Sequence, residues 1–278
     1  MTGPNNDGTP PVDVVYQEAL EVFEMKNHNH NCYEMIFISE GAAEFKINNK
    51  TYRAEANDLL FINHLESHEM KVLSTPYKRC FVLISLDFLH TSIKEPVLLS
   101  VFKYRPAHFK HILKIKPEDT AFISGLLSNM HREIKEMGAL WQNSLESFMK
   151  TLVIYLYRNY PGYFPALVPD NATKTINTIQ EYIERHFDEE IRLDDLSKKY
   201  YTSMHYLSHT FKNKTGYTFK EYLILQRLSK AKDLLYHDSD DILQVGLKSG
   251  FNNVNHFIRI FKKYTGTTPL QYRKMLFK

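Results

Sequence analysis

Two short windows near the C-terminal end carry side chains able to bond the edges of nucleic-acid bases or the phosphates beside them. One window presents His205, Ser208, His209 and Lys212, the other Asn255, His256, Arg259 and Lys262. Arg has a well-defined pairing with guanine and Asn with adenine, while Lys serves phosphate oxygens. Position sets these eight apart from other polar residues. Phe211, Lys212, Thr215, Gly216, Thr218 and Tyr222 recur 50 residues later as Phe261, Lys262, Thr265, Gly266, Thr268 and Tyr272. Six identities at one offset indicate two copies of a single supersecondary unit.

The unit must hold its donors on one face of a helix. In the second copy Ile242 and Val245 supply an apolar edge, Gly246 follows, Gly250 breaks the pattern and Phe251 anchors a turn. Phe257, Ile260 and Phe261 then make a new stripe at helical spacing, closed by Gly266. In the first copy Leu193 and Leu196 precede Ser197, and Leu207, Thr210 and Phe211 form the stripe that Gly216 closes. This is the pattern of a helix-turn-helix. Ser197 and Gly246 put little bulk where two short helices cross. The first helices match at an offset of 49 rather than 50, so the first turn is one residue shorter. One polar helix face is ordinarily only solvated; two copies of it, with the charge pattern below, point to DNA.

The net charge of +3 is unevenly placed. Residues 1–169 carry 17 basic and 19 acidic side chains, whereas residues 170–278 carry 18 and 13. From Ile242 to Lys278 seven Lys or Arg occur and no Asp or Glu, the footprint of a surface that meets a polyanion. An acidic membrane surface would be the competing partner, but no helix has the Trp- and Phe-rich face of an interfacial anchor. Two cysteines, Cys32 and Cys80, make no disulfide framework and suit a reducing compartment. The first residues have neither a basic start nor an apolar run, and no apolar stretch approaches the ~18 residues of a membrane span. A cytoplasmic protein without a membrane partner is expected.

The fold class expected is α+β in two domains. Residues 12–86 read as short strands: an alternation in Val12, Val14 and Tyr16, then β-rich runs at 35–38, 43–47, 59–62 and 80–86, separated by turn residues such as Gly41. Many short strands at close spacing suggest a small barrel or jelly roll. Residues 118–160 change to helical period, with Phe122, Ile123, Leu126, Leu127, Met130 and Ile134 in one stripe. Leu145, Phe148, Met149, Leu152, Leu156 and Tyr160 make a second stripe. The two helices should pack as a hairpin that covers the barrel or forms a homodimer interface. Division into a disordered tail (1–11), an effector-binding and dimerisation domain (12–160), a linker (161–173) and an all-α DNA-binding domain (174–278) follows, with helix-turn-helix units at about 192–215 and 241–265. Residues 218–237 between the units predict one helix about 30 Å long. That is close to the ~34 Å between successive major-groove faces of B-DNA.

The C-terminal part resembles the AraC/XylS family of bacterial transcription regulators. The matching residues are Arg227-Leu228, Ala231, Leu234-Leu235, Gly250-Phe251, Phe257, Phe261-Lys262, Gly266, Thr268-Pro269 and Tyr272-Arg273. The resemblance implies seven helices, two helix-turn-helix units and a long linking helix. Its DNA-facing places fall on His205, Ser208, His209, Asn255, His256 and Arg259. The first recognition helix lacks the usual Arg or Gln, and Gly246 stands where the family commonly has Ala.

The N-terminal part looks like a cupin. His28, His30, Glu34 and Gly41 match the first cupin motif in spacing, and Asn63, Leu65 and His68 stand where the second usually has Pro, Gly and His. His28 and His30 share a strand face and, with Glu34 and His68, offer the nitrogen and oxygen ligands of a transition metal. They equally suit a metal-free pocket that orients a sugar or another small effector, the use to which the family usually puts this domain. The function expected is therefore a DNA-binding transcription regulator responding to a small molecule, without catalysis and without a cofactor, able to act with RNA polymerase. The competing possibilities are a metal-dependent cupin enzyme fused to a DNA-binding domain, and a non-specific architectural DNA binder.

Overall fold

The structure, a computed structural model, describes residues 11–28, 32–48, 50–106, 108–165, 171–237 and 240–276. His30 and most of the expected N-terminal tail lie outside them. The chain forms two compact units, residues 1–104 with 108–166, and residues 167–278 with 105–107.

The first unit is built on an antiparallel sheet of seven strands: β1 (Val12–Ala19), β2 (Glu24–His28), β3 (Cys32–Ile47), β4 (Lys50–Glu55), β5 (Asp58–Ile62), β6 (His68–Ser85) and β7 (Ile112–Lys114). The long strands β3 and β6 pair along most of their length, residues 32–38 with 79–85 and residues 42–47 with 68–74. Between these stretches the register shifts, and Gly41 (φ +80°) lies where an added Cβ would come within 2.6 Å of the Pro76 carbonyl oxygen. The sequence pattern broke this strand at Gly41; the backbone instead continues through a bulge.

That bulge switches which residues face inward. Tyr33, Met35 and Phe37 point to one core, while Ile36 and Ile38 point to the other. Past the bulge the odd-numbered Ala43, Phe45 and Ile47 have joined Ile36 and Ile38, with Leu60, Ile62, Met70, Val72 and Tyr77. The sheet thus curls around this second core as the jelly roll requires. The first core lies on its other face, under α1 (Leu86–Ser92), α2 (Pro96–Lys103), α3 (Pro117–Glu136) and α4 (Trp141–Asn159). The stripes expected in α3 and α4 are the buried ones, except that Phe148 is half-buried and Phe122 stands 44% exposed. A short 3-10 turn, Pro161–Tyr163, follows, and Phe164 packs into the same core.

The second unit contains α5 (Asn171–His186), α6 (Leu193–Lys199), α7 (Met204–Thr215), α8 (Phe219–His237), α9 (Ile242–Lys248), α10 (Val254–Thr265) and α11 (Pro269–Leu276). Residues from α8 (Leu228, Ala231, Leu235) meet Val245, Phe251, Phe257 and Phe261 in one apolar cluster. Among the described residues no helix is long and apolar enough to cross a membrane.

Candidate functional site

Helices α7 and α10 are the second helices of the two repeated units, and each starts at a side-chain cap. Ser203 Oγ accepts the Tyr206 N–H, and Asn253 Oδ1 accepts the His256 N–H at 2.9 Å. Leu207 and Phe211 in α7, and Phe257 and Phe261 in α10, are buried. Burial of that stripe turns His205, Ser208, His209 and Lys212, and likewise Asn255, His256, Arg259 and Lys262, outward; all eight are exposed. Each helix stops at a left-handed glycine, Gly216 or Gly266. Asn255, His256 and Arg259 line a groove of about 620 Å³ together with Arg227 and Phe251.

The repetition extends to hydrogen bonds. Thr215 Oγ1 donates to the Phe211 carbonyl at 2.8 Å, and Thr265 Oγ1 to that of Phe261 at 2.8 Å. Thr218 and Glu221 form a capping box at the start of α8, and Thr268 and Gln271 form the same box at the start of α11. The Thr218 hydroxyl and N–H hold the Glu221 carboxyl below the usual range.

The two turns differ as the unequal offsets require. The Thr202 N–H donates to the Ser197 carbonyl and the Phe251 N–H to that of Gly246, both at 2.9 Å. These are equivalent bonds at an offset of 49. The left-handed position just before them is Gly250 (φ +82°) in the second copy and Tyr201 (φ +50°) in the first. Tyr201 is 99% exposed.

Gly250 is locked in place from α8. Arg227 donates through Nε to the Phe187 carbonyl (2.7 Å) and through Nη2 to that of Glu189 (2.8 Å), and its guanidinium lies 5.9 Å from the Phe251 ring centre. Burial lowers the Arg227 pKa, and the nearby Asp188 partly opposes that shift. Two exposed side chains escaped the sequence reading: Tyr201, and Tyr206, which stands 50 residues before His256. Applying the repeat offset to every position of α10 would have found Tyr206.

In the first unit Glu34 and His68 come together inside the curled sheet. Their Oε2 and Nε2 lie 3.2 Å apart, with side chains 6% and 0% exposed. The His68 Nδ1 donates to the Glu66 carbonyl at 3.1 Å, and its Nε2 faces the Glu34 carboxyl. The His28 ring lies 4.2 Å from that of His68, and its Nδ1 is bound to the Lys26 carbonyl at 3.0 Å. Asn63 and Leu65 build the turn before His68. Asn63 Oδ1 accepts the Leu65 N–H, Asn63 Nδ2 donates to the Phe102 carbonyl, and the buried Glu66 joins the Asn63 N–H to His111 Nε2. Among the described residues no three His, Cys, Asp or Glu side chains converge to hold a metal ion; His30 is outside that set.

A family profile described as an AraC-like ligand binding domain matches residues 11–153, and one described as a helix-turn-helix domain matches residues 196–275. The chain belongs to the AraC family of transcriptional regulators. It is a DNA-binding regulator with a domain for a small-molecule effector. The HTH-type transcriptional regulator YdiP of Escherichia coli K12 is 25% identical over 264 residues, which cover 91% of this chain and 82% of that protein. The HTH-type regulator SAS0078 of Staphylococcus aureus MSSA476 is 26% identical over 239 residues, 85% of this chain, although the match spans only 31% of that longer protein. A 1.65 Å structure of ToxT from Vibrio cholerae shares the fold, with a TM-score of 0.61 and 19% identity over 96% of this chain and 98% of ToxT.

Proposed function

We propose that α7 and α10 are recognition helices that read two adjacent major-groove faces of one promoter. His205, Ser208, His209 and Lys212 would act in the first groove and Asn255, His256, Arg259 and Lys262 in the second. The observation that carries this is the repeated unit itself: two helices capped, stopped and buried alike, each turning its polar face to solvent. At 19 residues α8 spans about 28 Å, a length suited to holding two such units one helical turn apart. Lys262 and Lys212 serve phosphates and Arg259 a base edge.

In the same proposal residues 12–160 bind the effector, 161–173 transmit its presence and 174–278 grip DNA. His28, His30, Glu34 and His68 orient polar groups of the effector, in the curled sheet, without metal and without catalysis. The outward face of α3 and α4 supports a homodimer, the complex acts with RNA polymerase, and the protein works in the cytoplasm. What favours regulation over an enzyme is that the relatives matched across most of this chain are named as transcriptional regulators.

Equilibrium binding tests the proposal. Double-stranded DNA selected by the full-length protein should bind about 10³-fold or more tightly than random DNA at the same salt. Arg259→Ala should lose roughly 1–3 kcal/mol at one base pair and relax the preference there. Equal affinity for selected and random DNA would make the protein a non-specific binder, and uniform weakening by Arg259→Ala would make that side chain a phosphate contact.

A further inference from the structure

The two polar-faced helices differ most in their first turns. At the start of α7 stand Met204 and Tyr206, 55% and 53% exposed. The same places of α10, 50 residues later, hold the half-buried Val254 and the exposed His256. On a helix surface, residues three and four apart are neighbours. Met204 therefore flanks Ser208, and Tyr206 flanks His209, so large side chains with apolar bodies border the polar face of α7 on both sides. The first turn is also the part of a recognition helix that reaches base edges.

The polar side chains between them give little choice of base. Asn255 and Arg259 in α10 have bidentate pairings with adenine and guanine, whereas their places in α7 hold His205 and His209. The Ser208 hydroxyl can donate or accept and so fits more than one base. His209 is partly taken up within the helix, since the Asn213 amide nitrogen lies 3.2 Å from its Nδ1 and 3.4 Å from its Nε2. The major groove offers one apolar group, the thymine C5 methyl. A thioether and a phenol ring set against phosphates would lose water for little return, whereas set against methyls they bury apolar area.

We propose that α7 reads a thymine-rich half-site by apolar contact, with Met204 and Tyr206 each packing on a thymine methyl. The hydrogen bonds of Asn255 and Arg259 serve the other half-site. Met204 and Tyr206 are thereby specificity-determining residues of α7. This inference rests on the reading of α7 and α10 as recognition helices and names the bases that α7 prefers.

Deoxyuridine in place of thymidine tests it, because that exchange removes only the methyl and keeps the base pair. The probe is a duplex selected by the full-length protein, with each thymine replaced in turn. Arg259→Ala marks the half read by α10, and the other half belongs to α7. In that half at least two single replacements should each weaken the wild type about fourfold, which corresponds to about 0.8 kcal/mol per methyl. Met204→Ala should lose the sensitivity at one of these positions and Tyr206→Ala at another. Tyr206→Phe, which keeps the ring, should retain it. Both side chains are exposed, so these variants probe contact rather than folding. No deoxyuridine effect in the α7 half, or an effect in both alanine variants equal to that in the wild type, overturns the proposal. A loss in Tyr206→Phe as large as in Tyr206→Ala would make that contact a hydrogen bond and overturn the apolar reading of Tyr206. Affinity for random DNA is measured in parallel. Discrimination of selected from random duplex without the deoxyuridine effect overturns this inference alone; no discrimination overturns the recognition-helix reading as well.

Discussion

Gly250→Ala should be among the most damaging single-methyl substitutions in the DNA-binding unit, and Gly266→Ala one of the mildest at the same backbone angle. Both glycines have a left-handed φ, +82° and +78°. Around Gly266 nothing lies within 4 Å of an added Cβ. Its cost is then the left-handed strain alone, about 1 kcal/mol once the stiffer unfolded chain is allowed for. Around Gly250 the Cβ would come within 2.6 Å of the Phe187 oxygen, 2.7 Å of the Asp188 Cα and 2.9 Å of the Arg227 Nε. Two of these are backbone atoms that cannot rotate away, and the third is the atom that ties α8 to the Phe187 carbonyl. Overpacking of this kind adds about 1–3 kcal/mol, so Gly250→Ala should cost about 2–4 kcal/mol. Tyr201→Gly, at the equivalent position of the first unit, should instead gain a few tenths to about 1 kcal/mol by relieving a left-handed tyrosine. Urea unfolding of the full-length variants, followed by circular dichroism in the helical transition, measures all three. Equal losses for Gly250→Ala and Gly266→Ala would refute the view that α8 and the second turn are locked together at Gly250.

Lys262→Ala should flatten the salt dependence of DNA affinity by about one unit of log–log slope, because one fewer phosphate is neutralised; an unchanged slope would place the side chain in free solvent. Tyr206→Ala should alter base preference only within the half of the site read by α7, by roughly 1–3 kcal/mol in a binding-site selection, and no change there would leave Tyr206 a solvent-facing residue. Burial pushes the Lys232 pKa down to about 8 against a coulombic pull from Asp233. The unfolded chain then holds this proton up to about 10.5 while the folded one has lost it, so stability should rise with pH between about 8 and 10. Lys232→Met should abolish that rise and be more stable at pH 7 by up to roughly 3 kcal/mol, as read from urea midpoints across the pH series; a rise that persists in the variant would assign it to other groups.

The second unit was the more legible in the sequence. Its stripes and stops are local: Phe257 and Phe261 at helical spacing and Gly266 after them are enough to define α10. The repeat then checks each reading against its copy. What escaped were the places where the copies differ. Tyr201 takes a backbone angle that glycine usually supplies, which no propensity would assign to a tyrosine, and the binding of Gly250 by Arg227 joins residues far apart in the chain.

The curled sheet was legible in class but not in detail. Strand β2, the short β4 and the first half of β6 carry exposed charges such as Glu24, Lys50 and Lys71, and offer too few apolar residues in a row to mark a strand in sequence. Parity along β3 changes at a bulge whose position depends on the approach of β6 at Pro76. Glu34 and His68 were named from motif spacing, and the structure brings them together. Arg79 was not named, because a lone arginine in a β-rich run does not show that the fold will bury it.

Two recognition helices reading one duplex is the central claim, and a position-resolved map of binding energy tests it most directly. Every single-base variant of a selected site should be measured with the wild type and with Arg259→Ala. The wild type should show two blocks of preference centred about 10 base pairs apart, and Arg259→Ala should flatten part of one block while the other is unchanged. A single block, or a loss spread evenly over both, would contradict the account.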